Sequence, residues 1–524
     1  MDGLQEMQRQ AGSLSRILAA VVLATAIGRG ALAVDYYWTA DGTNLGGSGT
    51  WNTTSSLWRS GSSTGSLTTF TSATTSQAFL QGTSGTLTTS GTPQFNRITV
   101  NSGNFTVSGL VSWANDGTLS PSRAIVVNPS SSLTITSTNG GGLPISILGG
   151  GTASFTQSNR NYGGTMTVSN AGTRLIFTAV NGLDNGSNST PLTMQAGTTL
   201  QLNQTNNFRA AMSLSSAAVE VNAANALVFQ TSSSVSVSGT AQSVIKTGTN
   251  AAGTIQFNSN RTFTVAATGD PSGVDLDIRC GIGGGSGFTK AGNGVMRLGG
   301  TTTFSGSSAV SSGTLLIDGN SLASTGTMSV AGVLGGSGTL GGTIAVAATG
   351  RVAPGSGIGT LTGGSAATFA SGAVFDYQML TSATTADLLK LAGDLTLTGS
   401  VALSLADLAS SSILPADTVL SLANYGGSMS GLFSYGGVSL NENDQFTFGS
   451  NTWRIAYAST QQGANVATPL PSGLFVNLIV VPEPGSLAAI GVAIAVVGGS
   501  LLTGRGFSRR PRGIPDREEP GSGR

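Results

Sequence analysis

A Gly-Thr-Leu element that keeps returning constrains this chain more than any other feature of it. It occurs at Gly85, Gly117, Gly313, Gly338 and Gly359, with looser versions at Gly172-Thr173-Arg174-Leu175 and Gly197-Thr198-Thr199-Leu200. Neighbouring copies lie 25, 25 and 21 residues apart (172 to 197, 313 to 338, 338 to 359). Such spacings fall within the roughly 20–50 residues that mark a solenoid. Each copy reads as a turn followed by a short alternating strand. One such unit cannot bury its apolar side chains alone; stacking on the next creates a continuous interior. Helical apolar spacings are too sparse over residues 90–380 for an α-solenoid. The expected fold is all-β, with a parallel β-helix as its main body.

Composition sharpens this expectation. Of 524 residues, 78 are Gly and only 9% are charged. Thr and Val favour strands, and Gly and Asn favour tight turns. Disordered chains combine low hydropathy with high net charge, whereas mean hydropathy here is +0.17. Short apolar runs such as Arg97-Ile98-Thr99-Val100 and Leu133-Thr134-Ile135-Thr136 recur, and they argue for order. Aromatics are 6%, so a core packed by aromatic rings is not expected. Net charge is +1 with no basic run in the main body, which argues against a nucleic-acid partner.

The chain has no histidine and one cysteine, Cys280. Ser-His-Asp and Cys-His catalysis and His-ligated metals are thereby excluded. Cys280 has no intrachain partner and reads as a small interior residue. No cofactor, metal or catalytic residue is implied, and the chain is read as non-enzymatic.

Both ends carry addresses. Arg9 and Arg16 precede the apolar run 17–27, followed by Ala31-Leu32-Ala33, an A-x-A cleavage signature with Ala31 and Ala33 as its small residues. The run suits a signal peptide and is too short to span a bilayer, so residues 1–33 are assigned as a signal peptide. Near the other end, Pro482-Glu483-Pro484 precedes the uncharged stretch 486–502 and then Arg505, Arg509, Arg510 and Arg512. That stretch is at the lower edge of a transmembrane helix, and the arginines would hold its end in the cytoplasm as a membrane stop. This order of triplet, apolar helix and Arg cluster resembles the PEP-CTERM sorting tails of Gram-negative and related bacteria. The resemblance implies anchoring in the inner membrane and processing by an exosortase-type sorting enzyme. Residues 481–512 form the sorting tail in this reading. The chain departs from the family by running on through 513–524, read as a disordered tail.

The clearest repeat unit runs from Gly287 to Gly319. It holds Gly287-Phe288-Thr289-Lys290-Ala291-Gly292-Asn293-Gly294, then Thr303-Phe304-Ser305-Gly306, then Gly313-Thr314-Leu315. It resembles the autotransporter-associated β-strand repeat, which implies a right-handed β-helix of the kind found in passenger regions of exported proteins. Residues 91–375 are assigned to this β-helix. Residues 34–90 hold three of the five tryptophans, Trp38, Trp51 and Trp58, and are read as an N-terminal β cap; exposed rings there would instead stack on sugars. Residues 376–480, with strands such as Val401-Ala402-Leu403-Ser404-Leu405, are read as a small antiparallel β domain.

Two functions remain on the sequence. The favoured one is an exported cell-surface or extracellular-matrix protein, structural or adhesive, with an extracellular polysaccharide as a candidate partner. The alternative is a carbohydrate-active β-helix enzyme, a lyase or glycosidase, which needs two carboxylates facing one groove. Asp275 and Asp277 sit at i and i+2, and otherwise read as a solvated strand face. Asp387, Asp394, Asp407 and Asp417 carry no motif. The glycine run 281–287 reads as a turn between coils.

Overall fold

Side-chain alternation builds the body. In Thr152–Phe155, Arg174–Phe177, Thr199–Leu202 and Ala218–Val221 the second and fourth residues are buried and the others half-exposed. This is the period-two pattern of a strand with one face on a core. The computed structural model describes residues 34–114, 123–137, 143–158, 163–184, 189–231 and 234–482. These hold fifty strands and one short 3-10 turn, Thr381–Ala383. Residues 1–33, expected to be a signal peptide, and those beyond Pro482 lie outside the described residues.

The strands stack in three parallel ladders. The first passes through Arg97–Val100, Ala124–Val127, Leu143–Leu148, Gly163–Val168 and Leu192–Met194. The second passes through Asn104–Ser108, Ser132–Ile135, Thr152–Phe155, Arg174–Phe177 and Thr199–Leu202. The third contains Asn206–Phe208, Leu227–Phe229, Thr254–Phe257 and Gly281–Gly283. It reappears as Asn320–Ser321, Thr339–Leu340, Thr360–Gly363, Leu388–Leu391 and Val419–Tyr425. A chain that visits three faces in turn and pairs in parallel with its previous visit is a β-helix.

The Gly-Thr-Leu copies do not all mark the same place on the coil. From the copy at Gly172 to that at Gly197 the spacing is a true coil, with Leu175 opposite Leu200. The copies at Gly313 and Gly338 sit on different faces: Thr314–Ile317 belongs to the second ladder and Thr339–Leu340 to the third. Leu315 instead faces Leu334. The motif is a generic way to start a strand after a turn, so it recurs wherever a strand starts and its period only approximates the coil.

The stack also runs through both expected boundaries. Val34–Trp38 is already parallel to Ser76–Leu80, which is parallel to Arg97–Val100. Residues 34–90 are therefore first coil and cap together, the cap proper being the antiparallel pieces Trp58–Ser60 and Leu67–Thr68. At the other boundary, Arg351–Pro354, Val374–Leu380, Leu395–Asp407 and Met429–Tyr435 continue the parallel ladder past residue 376. In this C-terminal part the antiparallel pairing is chiefly that of Val419–Tyr425 with Leu474–Val481, which in turn pairs with Asn451–Ser459 and that with Gln445–Phe448. Alternation reads the same in parallel and antiparallel strands, so the pattern alone could not place this change.

Among the described residues the interior is one continuous cluster from Tyr36 to Val480, with two small satellites, Leu388 with Val466 and Phe475, and Val419 with Ala456 and Ile479. On the second ladder, Leu133, Ala153, Leu175, Leu200, Val219 and Ile245 lie directly above one another, all buried. Each large apolar side chain so removed from water is worth about 1.5–3 kcal/mol. The few aromatics are gathered inside, contrary to the expectation from their number. Phe155 and Phe177 stack at 5.5 Å, and Phe257 packs with Phe229, Phe263, Phe288 and Phe304 at 5.8–6.0 Å.

The repeat unit owes its Lys and Gly residues to one turn. Lys290 occupies an inward position between Phe263 and Val310 and is fully buried. Its Nζ donates to the carbonyls of Ala291, Gly292 and Ser312 at 3.1, 2.8 and 3.0 Å. Gly292 has φ +78°, and a Cβ there would lie 2.4 Å from the Val265 carbonyl oxygen. The lysine thus ties the turn of its own coil to the turn of the next.

Candidate functional surface

The candidates from the sequence resolve into structural roles. Asp275 and Asp277 are buried rather than solvated, and they do not share a groove. The Asp275 carboxylate accepts hydrogen bonds from the Thr268 amide and hydroxyl at 2.6 Å and from the Val295 amide at 2.6 Å. It closes the loop 268–274. Asp277 is held by Arg279 and Arg297. Burial pushes its pKa up, but the bonds from Arg297 and Arg279 outweigh burial and hold it below the usual carboxylate range. Both carboxylates are engaged by bonds within the fold.

Trp38, Trp51 and Trp58 are fully buried. Trp58 packs against Trp38, Trp51 and Phe70 at 5.0–5.1 Å. They cover the end of the first coil, and the sugar-stacking reading of this cluster does not hold. Burial pushes the Cys280 thiol up to about 12, so it is an inert interior group. In the glycine run 281–287, Gly281–Gly283 is a third-ladder strand, and the turn begins only at Gly284, with φ +118°. Asp394 accepts hydrogen bonds from the Ser428 amide and hydroxyl, and Asp407 from the Thr381 amide and hydroxyl. Both fasten one coil to another.

Of the residues expected to form a sorting tail, Pro482 follows the strand Leu474–Val481 and lines a pocket of about 300 Å³ with Ile413, Leu414 and Asn451. Glu483, Pro484, Arg505, Arg509, Arg510 and Arg512 lie outside the described residues, as do Ala31 and Ala33. Among the described residues no helix is long and apolar enough to cross a membrane.

One surface was missed by sequence reasoning. On the outer face of the second ladder, Arg174 donates to Gln201 Oε1 and pairs with Glu220, and Glu220 also faces Lys246 Nζ at 3.5 Å. Further along, Asp277 takes Arg279 Nε at 2.5 Å and Arg297 Nε and Nη2 at 3.0 and 2.5 Å. Each carboxylate is shared by two cations, so each group carries one net positive charge. The carboxylates lie beneath: the Glu220 and Asp277 side chains are 14% and 0% exposed, against 35% for Arg174, 42% for Lys246, 52% for Arg279 and 32% for Arg297. A basic patch therefore exists where the linear sequence shows none. Arg174, Lys246 and Arg297 each sit on a separate short strand and Arg279 directly follows the strand Leu276–Ile278, so only the register gathers them. The available signal was a charged residue at an outward position of successive alternating strands. Aligning those strands requires coil lengths that vary, since Leu200 faces Val219, Val219 faces Ile245 and Ile245 faces Ile278.

No family model matches the chain, and no curated protein does. Among solved structures, the Haemophilus influenzae Hap adhesin aligns with 77% of this chain and 64% of its own length, at 12% identity and a TM-score of 0.17. The chain thus spans less than two thirds of that protein, and a likeness of this size carries no argument about either fold detail or activity.

Proposed function

We propose that this chain is a non-enzymatic, structural or adhesive protein of the cell surface or extracellular matrix. In this reading it is exported by its N-terminal signal, wound as a right-handed β-helix, held in the inner membrane by its C-terminal helix and sorted by an exosortase-type enzyme acting at Pro482-Glu483-Pro484. The observation that carries the reading is the spending of reactive groups on the stack itself. Asp275, Asp277, Lys290, Asp394 and Asp407 all close turns or join coils. A glycosidase or lyase would instead keep two carboxylates free over a groove. The position of the C-terminal address supports the reading: the last strand ends at Val481, just before the Pro-Glu-Pro triplet.

Expression of the full chain with its own tail tests this. The mature N-terminus should fall near Val34, and the body should be open to protease on intact cells. Replacing Pro482, Glu483 and Pro484 together by Ala should leave the chain in the membrane fraction without surface exposure. A triple variant that reaches the surface at the parental mass would reduce the tail to an anchor. Turnover of a polysaccharide panel that vanishes in Asp277→Ala would overturn the non-enzymatic reading.

A further inference from the structure

We infer that the second-ladder face between Arg174 and Arg297 binds a linear, negatively charged polysaccharide laid along the solenoid axis. The inference deepens the surface reading above, and rests on it only for where the polymer would be met.

Three observations carry it. The first is arrangement. Arg174, Gln201, Glu220, Lys246, Asp277 with Arg279, and Arg297 occupy six successive coils. Five steps of about 4.8 Å separate the first and last of these backbones, and because Arg174 reaches forward to Glu220 and Arg297 back to Asp277, the four charged heads lie in one strip about three steps long. A hexose unit is comparable in length to one coil step, so an extended glycan stays in phase with the coils over several units. The strip lies on a sheet face, which suits an extended chain better than a compact anion.

The second is preorganisation. The two covered carboxylates hold the cations without cancelling them, and Gln201 and Gln242 accept further hydrogen bonds from Arg174 and Arg279. Fixed heads lose little side-chain entropy when a partner arrives. The third is charge distribution along the chain. Residues 174–297 hold seven Lys and Arg against five Asp and Glu, whereas residues 318–444 hold two against eight. Among the cations of 174–297, Arg261 and Lys290 are buried, and Arg209 is paired with Asp184 beyond the third-ladder strand Asn206–Phe208. The outward cations of this part of the chain are therefore gathered on one face, with Asp270 at its edge on the Gln242 amide, while the flanking acidic part would repel a polyanion and confine it there.

The test uses the purified full chain in detergent and four immobilised polymers: polymannuronate, dextran sulfate, neutral dextran and duplex DNA. The variant is Lys246→Gln with Arg279→Gln. It removes the two most exposed heads yet leaves Glu220 its Arg174 and Asp277 its Arg297, so each carboxylate keeps a partner. The control is Lys390→Gln with Arg454→Gln, an equal charge change away from the strip. Circular dichroism melts check that both variants are folded. The expected result is retention on polymannuronate or dextran sulfate but not on neutral dextran. Retention should weaken as salt rises from about 50 to 300 mM, because the contacts are partly exposed and screened. It should fall about tenfold or more in the strip variant and stay within about twofold in the control. The relative strength of the two anionic polymers separates carboxylate from sulfate preference. Equal loss in both variants, no loss in the strip variant, equal binding to neutral dextran, or stronger binding to duplex DNA would each overturn the inference. The surface reading is judged separately by protease accessibility on cells, so either can fail without the other.

Discussion

Asp387 is fully buried at the junction between the last coils. Its two oxygens accept hydrogen bonds from the Gly359 amide at 3.0 Å and the Gln378 amide at 2.9 Å. Burial raises its pKa to about 7, against those two bonds and with Asp376 adding to the rise. An acid whose folded pKa exceeds its unfolded value of 3.8 binds its proton more tightly when folded. Its contribution is complete below about pH 4 and is lost as pH rises through 7. The strand Leu388–Leu391 should therefore become more protected between pH 8 and pH 5, by on the order of 2 kcal/mol. Hydrogen exchange of that strand, corrected for intrinsic rates, measures this. Asp387→Asn should flatten the dependence; an unchanged slope would assign it to another group. Nothing in the sequence marks Asp387 apart from Asp394, which is exposed and caps Ser428. Burial separates them, and burial depends on a register that spans distant coils.

At the scale of single elements, the turn after Phe288–Ala291 is the most constrained described above. Gly292→Ala should cost about 2–4 kcal/mol, because the residue holds a positive φ and its Cβ would meet the Val265 carbonyl. Gly273 also has positive φ, at +70°, but faces open space. Gly273→Ala should therefore cost only about 1 kcal/mol. Lys290→Met should be intermediate, leaving three carbonyls without their donor at a cost of roughly 1–3 kcal/mol. Comparing chemical denaturation of the three variants orders them; equal losses would remove the distinction between backbone strain and steric clash. This unit was legible in outline, since the spacing of Lys290, Gly292 and Gly294 announced a repeat. The reason for the lysine was not, because its acceptors include Ser312, on the following coil. Strand existence was legible for the same reason throughout: alternation is local. Pairing direction and ladder membership were not, as the misplaced boundary at 376 and the two Gly-Thr-Leu copies on different faces make plain.

For the whole molecule, each coil gains its stability from its immediate neighbours, so damage should stay near its source. Trp58→Ala removes the centre of the aromatic cap, a change worth roughly 3–5 kcal/mol in a packed core. The expected outcome is fraying of residues 34–90 with the distant coils intact. Limited proteolysis followed by mass spectrometry should show cuts confined to the N-terminal part, with a resistant fragment running towards Val481; global unfolding would show that the coils are more tightly coupled than a nearest-neighbour stack.

The ladders also have a mechanical meaning. Strands in a coil run across the long axis, and the hydrogen bonds between coils run along it. If the C-terminal end is anchored and a partner pulls from the far end, every bond of the three ladders is loaded along its own direction. The coil at the pulled end carries the force first and has a neighbour on one side only. Such a body should lengthen by peeling, one coil at a time. Each release would free a segment such as that between Leu315 and Leu334, which are opposite one another in the stack, and the slack gained per step would be set by coil length at about 3.4 Å per residue. A rope of this kind yields in small increments instead of snapping, and its resting length returns when the tension falls.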